Sequence, residues 1–275
     1  LPYTGGTTGV SKAAMLTHRN LVVNSLQYAR WYQYQEGGEI FISALPLSHL
    51  GGISGTMFVP ISVAGTLILF RRFNPRGVLQ AIQTYRASRF PGVPAMFIAI
   101  LGQEESASYD LSSLTHSRTN AAPLPAAVKE AFDKLVGHEV LVEGYGLTET
   151  TAPATINRVE NFRFGTVGLD LPICETKIAD DGEILIRGDN VFVGYYKNEE
   201  ATKEAFTDDG WFMSGDIGEK DRDGFLRITD RKKEIIITAA GKNVSPANVE
   251  NQIKASNPLI SQCVVYGDKR KFLVA

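Results

Sequence analysis

The chain has 275 residues, 44% of them hydrophobic and 21% charged, and its 28 basic against 30 acidic residues leave a formal net charge of −2. That is ample length for one large or two medium domains with a sizeable core, and the near-neutral balance excludes an electrostatic case for nucleic acid or a charged membrane surface. Two cysteines, Cys174 and Cys263, stand too far apart for a metal motif and read as buried, reduced thiols of a cytoplasmic protein.

In chain order, the first feature is the stretch Tyr3-Thr4-Gly5-Gly6-Thr7-Thr8-Gly9-Val10-Ser11-Lys12. Glycine lets backbone N–H groups turn onto an anion, threonine hydroxyls add donors and a lysine adds charge, so the composition suits a polyphosphate loop; a flexible linker has the same make-up. The spacing of a Walker loop is absent. Thr17 reads as the cap of a helix through Leu21, Val22, Leu26 and Trp31. From Ile40 to Phe70 no residue is charged. Pro46, Pro60 and several glycines argue there against a membrane span, and for two buried parallel strands, Phe41–Leu45 and Thr66–Phe70, around a short helix. Asn74-Pro75 opens a helix through Leu79, Ile82 and Tyr85. Leu124–Val136 reads as an amphipathic helix with Val128, Phe132 and Leu135 on one face, closed by Gly137, and Glu139–Glu143 reads as a strand.

This alternation predicts an α/β fold with a mostly parallel sheet. After about residue 165 the texture changes to short strands and tight turns. Asp180-Asp181-Gly182 is a hairpin signal between Thr176–Ala179 and Glu183–Ile186. Asp208-Asp209-Gly210 and Asp221-Arg222-Asp223-Gly224 mark further turns, the latter without the other ligands of a calcium loop. Ser245-Pro246 opens a helix, and Leu259–Tyr266 reads as a strand. The opening on Leu1 and the closing apolar run Phe272–Ala275 read as a fragment lacking both ends.

Several positions suit nucleotide chemistry, each beside a plainer alternative. Glu149 follows a strand and the turn Gly144-Tyr145-Gly146-Leu147-Thr148, where open α/β sheets bind ligands. A carboxylate there can hold Mg²⁺, and Thr148 can donate to a phosphate, or Glu149 is a surface residue after a tight turn. Asp216 in a Ser-Gly-Asp turn accepts from both hydroxyls of a ribose or caps its own turn. Arg231 completes that contact or stays solvated, and Tyr145 stacks on a base or packs at a strand end. His49 is a satisfied core histidine or lines a pocket.

Taken in order, these segments resemble the motifs of the adenylate-forming, AMP-binding superfamily of acyl-CoA synthetases, luciferases and adenylation domains. The resembling segments are Tyr3–Lys12, Pro46-Leu47-Ser48-His49-Leu50-Gly51-Gly52, Asn120-Ala121-Ala122-Pro123-Leu124, Gly144–Thr150, Gly210–Asp216, Phe225–Glu234 and Gly241–Pro246. They cover essentially the whole chain, and the run Lys232–Pro246 is most similar to long-chain fatty-acid–CoA ligases. The resemblance implies a large domain of mixed, mostly parallel sheets with a small β subdomain (1–229, β-rich from about 165). The start of a small α+β C-terminal lid (230–275) would follow, hinged at Asp230.

It also implies that ATP and Mg²⁺ convert a carboxylic acid to acyl-AMP and pyrophosphate, and that coenzyme A then takes the acyl group. Thr4, Gly5, Gly6, Thr7, Thr8, Gly9 and Lys12 would wrap the phosphates. Asn120, Ala121, Ala122, Gly144, Tyr145, Gly146, Leu147, Thr148, Asp216, Ile228 and Arg231 would hold the nucleotide. Thr148, Glu149 and Lys12 would serve the chemistry, with Glu149 on the metal. His49, Gly51 and Gly52 would line the acyl pocket, and Gly241, Lys242 and Asn243 would approach the thiol. Gly5, Ser11 and Asn120 depart from the family's usual Ser, Pro and Gly. Asn120 keeps tolerance of positive φ. The family's C-terminal catalytic lysine has no counterpart here, which implies that this chain alone is impaired. An amino- or aryl-acid adenylation domain and a non-catalytic nucleotide-binding relative are the alternatives. The oligomeric state stays open, as does peripheral membrane contact.

Overall fold

In the computed structural model, which describes residues 1–4, 11–232, 234–237, 243–244, 246, 249–250, 253, 263–268, 270 and 272–275, the flanks of the Gly/Thr loop close on each other. β1 (Tyr3–Thr4) pairs antiparallel with β2 (Lys12–Ala13). The next element, α1 (His18–Trp31), starts where Thr17 predicts, with the Thr17 side chain accepting from the Asn20 N–H. Of the apolar series read for it, Trp31 is buried and Leu21 half-buried, but two members face outward. Val22 and Leu26 are 57% and 55% exposed, while Asn20, Asn24, Gln27 and Tyr28 are buried. The cause is what the helix packs on. Asn20 Nδ2 donates to Asp189 O and Val191 O, Asn24 Nδ2 to Pro153 O, and Gln27 Nε2 to Pro172 O. Backbone carbonyls buried under a helix need donors, and amides supply them.

The uncharged stretch forms β3 (Ile40–Ser43), then α2 (Leu50–Ile53), a π-turn over Ser54–Phe58 and α3 (Val59–Ser62), then β4 (Thr66–Leu69). β3 and β4 are parallel, but β4 is a half-exposed edge strand, not a buried one, and Leu69 is exposed. α4 (Pro75–Tyr85) is capped by Asn74, and β5 (Arg89–Gly92), α5 (Pro94–Leu101) and β6 (His116–Thr119) follow. α6 (Ala126–Val136) starts two residues later than expected, because each residue before Pro123 and Pro125 is held out of the helical region. It closes on Gly137 at φ 95°. The strand expected at Glu139–Glu143 is β7, shifted to Leu141–Leu147, and β8 (Ala152–Ile156) and β9 (Leu169–Asp170) follow it.

These strands make one seven-stranded sheet in the order β4-β3-β5-β6-β7-β8-β9. It is parallel from β4 to β7 and antiparallel beyond. Alternate residues face opposite sides. Ile42, Phe90 and Leu141 join Leu79, Phe97 and Phe132 of the helices in one core, while Phe41 and Val142 join Tyr28, Ile184, Phe192 and Phe212 in another.

The change of texture falls at Cys174, because β8 and β9 stay with the first sheet. A second, antiparallel sheet runs β10 (Cys174–Ile178), β11 (Glu183–Gly188), β12 (Phe212–Lys220), β13 (Leu226–Arg231), with α7 (Glu199–Glu204) between β11 and β12. Gly182, Gly210 and Gly224 supply the positive φ of its turns. Asp221 caps its own turn by accepting from the N–H groups of Asp223 and Phe225. β14 (Ile236–Ile237) and β15 (Asn243–Val244) form a short ribbon. Ser245 and residues 259–262 of the expected helix and strand lie outside the described residues. Cys174 is buried and free; Cys263 is free but only half-buried. Among the described residues no helix is long and apolar enough to cross a membrane.

Candidate functional site

Two clusters form at the C-terminal end of β7 and just beyond it. The turn Thr148–Thr150 directly follows β7. Its tightness demands Gly146, where a Cβ would lie 1.9 Å from Ala152 O. Thr151 and Ala152 complete it in left-handed conformations, at φ 61° and 94°. Thr148 is half-buried, and Glu149 is 8% exposed, so the surface reading of Glu149 does not hold. Its Oε1 accepts from the Tyr195 hydroxyl at 2.8 Å, and its second carboxylate oxygen engages no described residue. On the other side, Lys12 Nζ sits 4.0 Å from the centre of the Tyr195 ring.

Tyr195 therefore joins the end of the Gly/Thr loop to the carboxylate. The backbone enforces this: Tyr196 N donates to Ala13 O, Met15 N to Gly194 O, Val193 N to Met15 O and Phe192 N to Glu149 O. Thr4 O accepts from the Ser11 hydroxyl across the loop's base. Gly5, Gly6, Thr7, Thr8 and Gly9 lie outside the described residues, as do Gly241 and Lys242. Tyr195 itself carries no motif, and only the strand pairing brings it in.

The second cluster centres on Asp216 in β12, 5% exposed. Its Oδ2 accepts from the Tyr145 hydroxyl at 2.6 Å and its Oδ1 lies 3.3 Å from Arg231 Nε. Burial raises the carboxyl above the usual range, against the pull of Tyr145 and Arg231. Tyr145 is buried, its phenol pushed well up by burial and by Asp216. Arg231 is half-exposed, opposite Asp216 in the β12–β13 ladder. Ile228 lies in the same strand.

Asp230 is buried. Its Oδ1 accepts from the Arg231 N–H, and its Oδ2 has no partner among the described residues. Lys232 reaches back to Asp181 and Glu183, 2.7 Å from each.

Asn120-Ala121-Ala122 follows β6. The left-handed residue there is Ala121, at φ 72°, not Asn120. The Asn120 side chain instead turns inward, near Gly144, with Oδ1 unpartnered among the described residues. Beside it Glu143 Oε1 accepts from Leu124 N, and burial pushes this carboxyl up to about 7.

His49 is exposed and is no core histidine; its Nδ1 caps α2 by accepting from Gly51 N. Gly52 is forced to be glycine, since a Cβ would lie 2.1 Å from Pro46 O. An open depression of about 510 Å³ lies beside Tyr195, lined by Met15, Lys197, Asn198 and Lys203 among others. None of the residues expected to bind nucleotide, acid or thiol lines it.

Residues 1–196 match the family of AMP-binding enzymes, and residues 233–275 match the AMP-binding enzyme C-terminal domain. The chain is 36% identical over 280 residues to the long-chain-fatty-acid–CoA ligase of Bacillus subtilis (strain 168), covering 97% of this chain and 49% of that protein. It superposes on the ATP-bound crystal structure of MatB from Rhodopseudomonas palustris with a TM-score of 0.86, at 33% identity, over 96% of this chain and 53% of that one. It matches O-succinylbenzoate coenzyme A synthetase (MenE) of Bacillus subtilis, in complex with ATP and magnesium ion, with a TM-score of 0.88, at 29% identity, over 98% of this chain and 58% of that one. The chain spans about half the length of the relatives it matches. With matching motifs in order, a matching fold and a family match over most of its length, it belongs to the AMP-binding enzymes.

Proposed function

We propose that the intact protein is an AMP-forming acyl-CoA synthetase, activating a carboxylic acid, in the first instance a fatty acid, with ATP and transferring it to coenzyme A. The observation that carries this is the convergence of Lys12, Tyr195, Glu149 and Thr148 at one end of the parallel strands, beside Tyr145, Asp216 and Arg231. The names of the relatives support the substrate class. The conversion needs no general base, because a carboxylate is ionised at neutral pH and is itself the nucleophile. The protein's task is to position two anions and spread the charge that develops on the α-phosphorus.

Lys12 brings a cation, held by the Tyr195 ring, to the phosphate loop that it ends. The Thr148 hydroxyl donates to a phosphate oxygen. Each carboxylate oxygen of Asp216 has a second lone-pair direction left for a ribose hydroxyl. Glu149, with one oxygen on Tyr195 and the other unengaged among the described residues, suits Mg²⁺ held by one protein carboxylate, phosphate oxygens and water. Such an ion would neutralise triphosphate charge. The segment from Asp230 onward is read as the lid; Asp230 Oδ2 has no partner among the described residues. ATP and coenzyme A as co-substrates carry with them a cytoplasmic location.

The test is pyrophosphate release by the intact protein across a panel of carboxylic acids, with and without coenzyme A, in wild type and Glu149→Gln. Release with fatty acids, thioester formed on adding coenzyme A, and a loss of about 10²-fold or more in the variant are expected. Undiminished release in the variant removes Glu149 from the mechanism, and silence across the panel removes the reaction.

A further inference from the structure

A single aromatic ring lies between the two opposite charges of the first cluster. The Tyr195 hydroxyl donates to Glu149 Oε1 at 2.8 Å, and the Lys12 ammonium sits 4.0 Å from the centre of the same ring. Tyr195 and Glu149 are both buried, and Lys12 is half-buried. Opposite charges so near each other in a poorly hydrated site attract strongly, and the flexible stem of a lysine lets it follow that attraction. Yet Lys12 makes no ion pair with Glu149 or with any other described residue.

The ring is fixed on several sides. Tyr195 pairs with Ala14 in an antiparallel bridge, its N–H donates to Thr202 Oγ1 at 2.8 Å, and the Phe192 ring meets it edge-on at 4.9 Å between centres. The segment that carries it is laced to the turn that carries Glu149. Phe192 N donates to Glu149 O, Thr151 Oγ1 to Asn190 O, and Asn190 Nδ2 to Thr150 O. The ring cannot step aside without breaking some of these bonds. Burial and the charge of Glu149 push the phenol well up, so it keeps its proton and donates to the carboxylate. A leucine here would fill space but would neither seat the ammonium nor hold the carboxylate oxygen.

We infer, on the reading above of Lys12 as a phosphate ligand and Glu149 as a metal ligand, that Tyr195 is a positioning residue that holds these two apart, so that each meets the triphosphate and not the other. The ring face attracts the ammonium without carrying a charge, and Lys12 stays a cation for phosphate. The hydroxyl occupies one oxygen of Glu149 and leaves the other for the divalent ion, as the outer partner of a metal-binding carboxylate does. Without the ring, lysine and glutamate would neutralise each other, and the nucleotide would lose both contacts.

The test reads binding and not turnover, with α,β-methylene ATP, which is not cleaved, and Mn²⁺ in place of Mg²⁺. Calorimetry gives the affinity of the intact protein for the analogue without metal. Electron paramagnetic resonance of free Mn²⁺ gives its affinity for the ion at saturating analogue. Tyr195→Phe, the variant least disturbing to folding, should weaken Mn²⁺ binding about tenfold, as loss of a metal ligand's outer partner does, and leave metal-free affinity unchanged. Tyr195→Leu should also lower metal-free affinity about tenfold, the worth of a hydrogen bond to a charged group. Glu149→Gln should raise that affinity more in the Tyr195→Leu background than in wild type, because no carboxylate is left to capture Lys12. Equal Mn²⁺ affinity in wild type and Tyr195→Phe overturns the role, and so does a parallel fall in both affinities, which a merely structural tyrosine would give. An equal gain from Glu149→Gln in both backgrounds overturns the separation of charges. The metal reading is checked apart from this role. Glu149→Gln that binds Mn²⁺ as wild type does would remove the ion from Glu149 and this role with it. Weakened binding in Glu149→Gln beside unaltered binding in Tyr195→Phe would remove the role of Tyr195 alone.

Discussion

Glu143 shows how one side chain's surroundings turn into a property of the whole protein. It sits in the middle of β7, its neighbours Val142 and Gly144 buried with it, and its only partner among the described residues is the Leu124 N–H. Burial penalises its charged form and carries the carboxyl up to about 7, against that hydrogen bond. An unfolded glutamate ionises near 4.5, so between about pH 4.5 and 7 the folded state holds a proton that the unfolded state has lost. Stability from this group is therefore fully present below about 4.5, falls as pH rises to 7, and is flat above; the whole step is on the order of 3 kcal/mol. Asp216, raised from 3.8, adds a slope of the same sign at lower pH, so the diagnostic is the difference between variant and wild type. Glu143→Gln keeps an acceptor for Leu124 and removes the titration. Urea unfolding at pH 5 and pH 8 should find the variant favoured by about 1–3 kcal/mol more at pH 8 than at pH 5. Parallel pH dependence in the two proteins would mean that Glu143 ionises normally in the fold. Nothing in the sequence marked this residue, since a glutamate at the end of an expected strand is ordinarily exposed. The same holds for Ala121, where tolerance of positive φ pointed to the neighbouring Asn120.

At the scale of the element, local signals worked where the interaction itself is local. Thr17, Asn74-Pro75, Gly137 and Asp180-Asp181-Gly182 begin or end their elements as read, because a cap or a turn is made within four residues of chain. The face of α1 did not follow, because its partners are carbonyls of Pro153, Pro172, Asp189 and Val191, well over a hundred residues away. An apolar stripe predicts the buried side of a helix only when that side meets an apolar surface. Asn20 belongs to both worlds. Its Oδ1 accepts from Thr17 N at 2.8 Å, closing the capping box, while its Nδ2 holds two distant carbonyls. The two variants should therefore separate. Thr17→Ala removes a cap and costs about 1 kcal/mol. Asn20→Ala strands the Thr17 N–H and both carbonyls and costs about 2–3 kcal/mol. Chemical denaturation that ranks them equal would reduce Asn20 to a capping residue and nothing more.

For the whole molecule, the legible part of the site was its motifs, and the illegible part was the contact between them. Glu149, Asp216 and Arg231 could be named from residue type and order, but not that a phenol would hold each carboxylate. Tyr195 has no motif, and Tyr145 was equally a stacking ring or a packing residue. In the fold its hydroxyl crosses from β7 of the first sheet to Asp216 of the second. That bond, with those of Asp170 in β9 to Thr176 and Lys220 of the second sheet, ties a sheet of seven strands to one of four, and among the described residues it alone does so where ribose is proposed to bind. If it couples the sheets, Tyr145→Phe and Asp216→Asn should not be additive. Tyr145→Phe leaves a buried carboxylate with Arg231 as its remaining partner and should cost about 1.5–3 kcal/mol. In the Asp216→Asn background the same change should cost less, because a neutral amide loses less by going unpaired, giving a coupling of about 1–2 kcal/mol by double-mutant cycle. The pH profile adds a sign. With Tyr145's pull gone, the Asp216 carboxyl rises further, and Tyr145→Phe should lose more stability than wild type as pH climbs above about 3.8. Additive free energies and an unchanged profile would leave the joining of the two sheets to their other contacts, such as those of Asp170 in β9 with Thr176 in β10 and Lys220 in β12, and Asp216 free to bind a diol without giving anything up.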